Sequence, residues 1–282
     1  MVPSPSNPPY FDLLFARLDA ADPSAVAAFG RHVHWGYWND PDDATVSAED
    51  YGAAAERLCR VLCDQAPIRD GQRILDVGCG FGGTIASLNE RFDRVELVGL
   101  NIDERQLRRA ASQVRARSNN VIAFVEADAM MLPLPDDHFD IVLAVECIFH
   151  FDRAQFLGEA SRVLRPGGSL TISDFVPSQQ AAEYFEAIDF SADEAIRWSY
   201  GNIDLSCSVD RYWEMAESWG LKLIEVADIT ANTLPTYEFL RSSMDGWADD
   251  RERKLFGRAT GLLEKASRRG MLGYQVITFQ KK

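Results

Sequence analysis

The stretch Arg73-Ile-Leu-Asp-Val-Gly-Cys-Gly-Phe-Gly-Gly83 constrains the fold of this chain more than any other: an apolar strand runs directly into a glycine-rich turn. Such a turn lets the backbone come close to a ligand, because a Cβ would obstruct the approach. One charge, Asp76, stands just before it. A loop built for a dinucleotide brings a pyrophosphate to this place and holds it with backbone N–H groups and the next helix N-terminus, so an acid has no use there. Asp76 suits a ligand with positive charge, and a cationic nucleoside answers to both the turn and the acid.

From Arg73 onward the pattern alternates. Residues 73–79, 95–102, 121–126, 139–147 and 169–176 read as buried strands, and helical segments separate most of them; the clearest, 152–164, ends at Arg165-Pro-Gly-Gly168. Parallel neighbours need crossover connections, so the alternation predicts an α/β fold with a mostly parallel sheet and helices on both faces. Upstream, 10–19 and 23–31 read as short helices, followed by an aromatic loop, His32-Val-His-Trp-Gly-Tyr-Trp38. Ser47 reads as the N-cap of a helix to about Gln65, with Glu49 and Asp50 favourable to its dipole. After the fifth strand, residues from about 178 to 206 break the alternation with an aromatic, acidic helical stretch, read as an inserted lid. A helix over 209–219, a strand over 221–229, further helices to Arg269 and a last strand over 274–280 complete the chain. The domain reading is a flexible tail over 1–9 and one domain over 10–282, of which 10–70 form an N-terminal helical cap.

Composition excludes several classes of function. A formal charge of −14 opposes phosphate backbones, since nonspecific nucleic-acid affinity comes from Lys and Arg displacing counterions. The cluster Arg105, Arg108, Arg109, Arg115 and Arg117 reads as a solvated helix face. No apolar run reaches the roughly 18 residues of a membrane span, and the proline-rich start lacks the regions of a signal peptide, which predicts a cytoplasmic protein. The five cysteines are odd in number and lack paired metal spacing, so the expectation is reduced thiols and no metal. Cys59 and Cys63, four apart on a predicted helix, read as buried packing.

Four segments together carry a resemblance. Leu75-Asp-Val-Gly-Cys-Gly80, Ala127-Asp-Ala129, Leu132-Pro-Leu-Pro-Asp-Asp-His-Phe-Asp-Ile141 and Leu164-Arg-Pro-Gly-Gly168 stand in the order and spacing of the class I S-adenosylmethionine-dependent methyltransferases. The chain resembles that family over roughly residues 10–282. The resemblance implies a Rossmann-like seven-stranded sheet of order 3-2-1-4-5-7-6 with the last strand antiparallel, S-adenosylmethionine as cofactor and S-adenosylhomocysteine as its product. His-Trp-Gly-Tyr-Trp, Val145-Glu-Cys-Ile-Phe-His150 and the lid are similar to small-molecule methyltransferases of natural-product, sterol and tocopherol pathways.

The same resemblance implies roles for single residues. Gly78 and Gly80 contact the cofactor, and Asp76 holds its methionine end through the ammonium or a bridging water. The place after the second strand usually carries an acid for the ribose hydroxyls, but here Asn101 stands there, with Ile102 beside it and Gln106 supplying a further polar group; Asp103 reads as a helix N-cap. Asp128 would accept from the adenine amino group, with the Ala129 N–H facing the ring. His34 and Tyr37, in the aromatic loop, would lie over the methionine end, unless the loop is only a helix-anchoring cluster. Glu146 would line the cofactor or substrate wall. His150 is the candidate base, with Asp174 as its orienting carboxylate; the bland alternative is a histidine that caps the helix starting near Asp152.

Asn7-Pro-Pro-Tyr10 spells the grip that amino-methyltransferases of DNA place on an extruded adenine, but it precedes every strand on an acidic chain and reads as coincidence. The leading functional expectation is methyl transfer to a hydroxyl of a small-molecule acceptor. C-methylation of an isoprenoid or aromatic ring stays open, with N-methylation behind it. An NAD-dependent oxidoreductase remains a distant alternative, since Gly78, Gly80 and Gly83 also satisfy the dinucleotide spacing, and so does a noncatalytic cofactor-binding protein.

Overall fold

The apolar runs assemble into one seven-stranded sheet of order β3-β2-β1-β4-β5-β7-β6. The structure is a computed structural model that describes residues 10–282 apart from 118, 245, 246 and 248, and the side chain of residue 191; the tail expected over 1–9 lies outside the described residues. The strands are β1 (Arg73–Val77), β2 (Glu96–Asn101), β3 (Val121–Glu126), β4 (Phe139–Val145), β5 (Leu164–Pro177), β6 (Leu221–Asp228) and β7 (Leu272–Lys281). β1 to β5 pair in parallel, whereas β7 runs antiparallel to both β5 and β6. The Rossmann-like order and the reversed last strand are those the resemblance implied.

Every residue of β4 is buried, as a central parallel strand with helices on both faces requires. The connections are α4 (Gly83–Arg91), α5 (Glu104–Gln113) and α6 (Arg153–Val163). Leu164-Arg-Pro-Gly-Gly168 is more than the turn expected from sequence. Leu164 already pairs with Phe139, the ladder slips, and pairing resumes at Ile141 with Ser169.

The helices before β1 are α1 (Tyr10–Asp19), α2 (Pro23–Phe29) and α3 (Ala48–Gln65). Ser47 caps α3 by accepting from the Asp50 N–H at 3.1 Å. Tyr51, Ala54, Ala55, Leu58, Cys59, Leu62 and Cys63 recur at helical spacing on its buried face, which accounts for the two cysteines by packing. The stretch after β5 forms α7 (Gln179–Glu186), a 3-10 turn (Phe190–Ala192) and α8 (Glu194–Tyr200); α9 (Val209–Ser218) then leads into β6. Between β6 and β7 come α10 (Thr230–Thr233), α11 (Pro235–Ser243) and α12 (Asp250–Arg268). Residues of α1, α8, α11 and α12 roof a cavity whose floor is the carboxyl ends of β1, β2 and β4. Open α/β sheets place ligands here, because the strand order reverses between β1 and β4 and leaves a crevice.

Candidate active site

Two backbone positions shape the cavity floor. Gly78, at the end of β1, has φ +71°, and a Cβ on it would stand 2.7 Å from the Cys147 sulfur. Glu146, just past β4, has φ +51°, a conformation that costs a non-glycine residue of order 1–3 kcal/mol and persists only where its neighbours dictate it. They do: its N–H donates to Ser173 Oγ at 3.0 Å, and its carboxylate accepts from the Trp35 N–H at 2.9 Å and from the Tyr274 hydroxyl. One strained residue thus ties the aromatic loop and β7 to the floor.

The cavity encloses about 530 Å³. Gly78, Gly80, Asn101, Ile102, Gln106, Asp128, Ala129, Glu146, His34 and His150 all line it, so folding gathers ten of the thirteen expected residues around one space. At its polar end the Asn101 amide donates to Gln106 Oε1 at 3.1 Å and accepts from the Asp103 N–H at 3.1 Å. Asp103 caps α5, accepting from the Arg105 N–H at 2.9 Å. Ile102 remains 43% exposed, an apolar surface over which a flat ring can lie. Asp128 accepts from the Met130 N–H at 2.9 Å, a bond that fixes the turn after β3. The opposite half is aromatic and apolar, with Phe29, Tyr51, Phe149, Tyr200, Trp247 and Phe256.

Two acids beside this space are held protonated near neutral pH. Asp76 is 1% exposed, and neither carboxylate oxygen has a hydrogen-bond partner among the described residues. Burial pushes its pKa up to about 8. Burial also raises Glu146 to about 8, against its hydrogen bonds from Tyr274 and Trp35. An orphaned buried carboxylate is costly unless a cation or donor meets it, so Asp76 fits a ligand with a positive group. Asp76 is not itself part of the cavity wall; it lies behind the turn at Gly78 and Gly80, and of its two expected contacts the bridged one fits this placement.

Tyr37 is a correction. Its N–H donates to the Ala54 carbonyl at 2.9 Å, its own carbonyl accepts from Arg57 Nε at 2.9 Å, and the side chain packs on the core outside the cavity. Tyr51 of α3 lines the space instead and donates its hydroxyl to the His34 carbonyl at 3.2 Å. Nothing in the spacing of α3 distinguished that tyrosine from core packing.

Asp174 is a second correction. It is 0% exposed and bonds Arg153 at 3.1 and 2.9 Å, the Tyr212 hydroxyl, and the Phe175 N–H at 2.8 Å. These contacts are internal to the fold, and His150 takes its orientation elsewhere. His150 ends a 3-10 turn (Ile148–His150), and its Nδ1 lies 3.2 Å from the Asn202 carbonyl. A carbonyl only accepts, so the proton sits on Nδ1 and Nε2 keeps its lone pair. The ring is exposed on its cavity side; the protein crowded around it, helped by the charge of Arg153, lowers its pKa, so the imidazole is neutral at pH 7. Arg153 also bonds the Asp204 carboxylate at 2.8 Å and carbonyl at 2.7 Å, anchoring the segment that carries Asn202. That backbone carbonyl left no signal in the sequence, because any residue type supplies one.

A family profile described as a methyltransferase domain matches residues 75–172. Methyltransferase GfsG of Streptomyces halstedii is 36% identical over 225 residues, covering 77% of this chain and 76% of that protein. The 27-O-demethylrifamycin SV methyltransferase of Amycolatopsis mediterranei (strain S699) is 32% identical over 262 residues, covering 90% and 91%. Among solved structures, the [4+2]-cyclase SpnF superposes with TM-score 0.74 at 26% identity, over 96% of this chain and 94% of that one.

Proposed function

The chain belongs to the S-adenosylmethionine-dependent methyltransferases, and from that premise we propose that it methylates a hydroxyl of a small-molecule metabolite of secondary metabolism. The observation that carries this reading is His150: a neutral imidazole on the cavity wall whose Nδ1 proton is committed to Asn202 and whose Nε2 is left to accept. The bound cofactor supplies a methyl group made electrophilic by its sulfonium. With an acceptor hydroxyl aligned on that methyl group, His150 Nε2 would take the hydroxyl proton, and the products would be a methyl ether and S-adenosylhomocysteine. Most of the acceleration on this reading comes from alignment of two ligands in one enclosed space.

Asn101, Ile102, Gln106, Asp128 and Ala129 would hold the nucleoside, with Gly78 and Gly80 beneath it. His34 and Glu146 flank the other end, where Asp76 lies behind the turn. The relative named for demethylrifamycin supports oxygen as the acceptor atom. The net charge of −14 favours a small acceptor over a nucleic acid. Among the described residues no helix is long and apolar enough to cross a membrane.

Glu146 favours a second reading, C-methylation: it lines the aromatic cavity, and once deprotonated its carboxylate would stabilise positive charge developing on a ring. Product mass separates methylation from the cyclisation named for the similar structure, since cyclisation leaves mass unchanged. The deciding experiment pairs calorimetric titration of S-adenosylmethionine, S-adenosylhomocysteine and NAD with His150→Ala turnover. Binding of the first two, with turnover lost on alcohols but kept at high pH on acidic phenols, is the expected result. Binding of NAD alone would overturn the family chemistry. Unchanged turnover of His150→Ala on every acceptor would remove the base and leave the Glu146 reading.

A further inference from the structure

His32, which opens the aromatic loop, is buried between a carboxylate and a second imidazole. Its Nε2 lies 2.8 Å from Glu56 Oε2 and its Nδ1 lies 3.0 Å from His34 Nε2; His34 Nδ1 in turn lies 2.9 Å from the Trp35 carbonyl. The protons in this chain can be counted. The carbonyl only accepts, so His34 Nδ1 carries a hydrogen; a neutral His34 then accepts at Nε2, which puts the next hydrogen on His32 Nδ1. A neutral His32 would turn its remaining lone pair toward the Glu56 carboxylate. Three hydrogen bonds need three ring protons, and two neutral imidazoles own two. Glu56 does not supply the third: although burial opposes it, hydrogen bonds from His32, Arg60 and Ser87 hold its pKa at about 2.

We propose that Glu56 holds one positive charge on the His32–His34 pair, on the wall of the cofactor cavity, where it meets the carboxylate of the bound cofactor. This rests on the S-adenosylmethionine reading of that cavity. With the shared proton on His32 Nδ1 or on His34 Nε2 all three hydrogen bonds survive, so the charge can pass to the ring nearer the ligand across one 3.0 Å contact. Both rings line the cavity. The pair also sits against the start of α4: a Cβ on Gly83 would stand 2.4 Å from His32 Nδ1. The positive end of that helix dipole favours an anion at the same place and opposes the ring charge until an anion is bound.

The charged groups around the pair balance one another. Glu56 and Arg60 come from α3 and Glu90 from α4, while Arg31 on the loop's own segment bonds Glu56 at 3.1 Å and Glu90 at 3.0 Å. Two carboxylates thus offset two guanidiniums. At the other end Glu146 is committed to the Trp35 N–H and to Tyr274. Burial pushes both rings down, His34 to about 3, and Glu56 offsets only part of that push on His32. The hydrogen-bond count opposes that push, since without the third proton one of the three buried contacts, at Glu56, between the rings or at Trp35, would set acceptor against acceptor.

Glu56→Gln removes the charge while keeping the length and shape of the side chain. An amide N–H donates to His32 Nε2, so two neutral rings complete the chain, while the ion pair of Arg31 with Glu56 is lost and that with Glu90 is kept. Imidazole nitrogen NMR at pH 7 should show three protonated nitrogens over the two rings in the native protein and two in the variant. Calorimetry with S-adenosylhomocysteine should find the native protein binding about tenfold more tightly than Glu56→Gln at pH 6, a ratio falling toward one at pH 9 as the pair loses its proton. His34→Phe, which keeps a ring but ends the chain, should lose affinity in the same way. Two neutral rings in the native protein, or a ratio that does not change with pH, would overturn the proposal. Absence of binding in every protein at every pH would overturn the ligand half together with the cofactor reading, while the nitrogen spectra would still report the charge.

Discussion

Asp76 and Glu146 show what a single buried acid does to the whole protein's response to pH. Both have folded pKa values of about 8, raised by burial from ordinary carboxylate values. A raised pKa means that the folded state holds a proton the unfolded chain has released. The associated stability is therefore fully present below about pH 4 and is lost as pH rises through about 8. Urea midpoints of the ligand-free protein should accordingly fall between pH 7 and pH 9, and a flat profile would reject the assignment. A cation brought near Asp76 lowers its pKa, so cofactor binding at pH 7 should release protons, visible as a buffer-dependent binding enthalpy that Asp76→Asn diminishes. Gly78→Ala combines a positive φ with a 2.7 Å approach to the Cys147 sulfur and should cost about 1–3 kcal/mol in unfolding while abolishing cofactor binding. At this scale the placement of Gly78, Asn101, Asp128 and His150 around the cavity was legible, because each stands at a fixed offset from a strand end. Tyr37 and Asp174 were misread because a strand end or an aromatic loop tells which residues are near the crevice, not which way each side chain turns.

Elements hold the site together through pairs that no local pattern announces. Arg153 at the start of α6, Asp174 on β5 and Tyr212 on α9 form a buried cluster that also grips Asp204. Removing one partner of a buried ion pair leaves the other charge stranded, so Asp174→Ala should destabilise by about 3–5 kcal/mol, read from urea unfolding. Because Arg153 anchors the segment of Asn202, the surviving enzyme should also lose turnover. Wild-type stability in that variant would show that the pair is dispensable. On the far side, Arg105 of α5 bonds Asp12 of α1 at 2.7 Å, lies over the Phe15 ring at 5.0 Å and also bonds Asp103. α1 roofs the cavity, so Arg105→Ala should speed S-adenosylhomocysteine release several-fold in stopped-flow measurements, and an unchanged rate would mean that α1 does not gate exit. Most element bounds came through, α3 with its Ser47 cap and β3 among them, because caps and periodicity are local. The bonds among α6, β5 and α9 join residues 21 to 59 positions apart, and local sequence holds no record of them.

The last strand governs the molecule as a whole. β7 lies between β5 and β6, paired with β5 from Ser169 with Gln280 to Pro177 with Leu272, and its Tyr274 hydroxyl reaches Glu146 on the cavity floor. A chain ending after Gly270 should therefore lack cooperative unfolding and bind no S-adenosylhomocysteine, whereas a folded, binding truncation would show that the parallel half stands alone. Alternating apolar runs, glycine turns and acids at strand ends are short-range features, set by steric freedom and hydrophobic periodicity within a few residues. By itself the sequence therefore determined the α/β class, the strand order by resemblance, the family and the ring of residues around the crevice. Which group orients His150, which tyrosine closes the cavity, and how the ring nitrogens of His32 and His34 are partnered were decided only in the tertiary structure. Those properties depend on hydrogen bonds and desolvation between groups far apart in sequence, and both exist only once packing has excluded water.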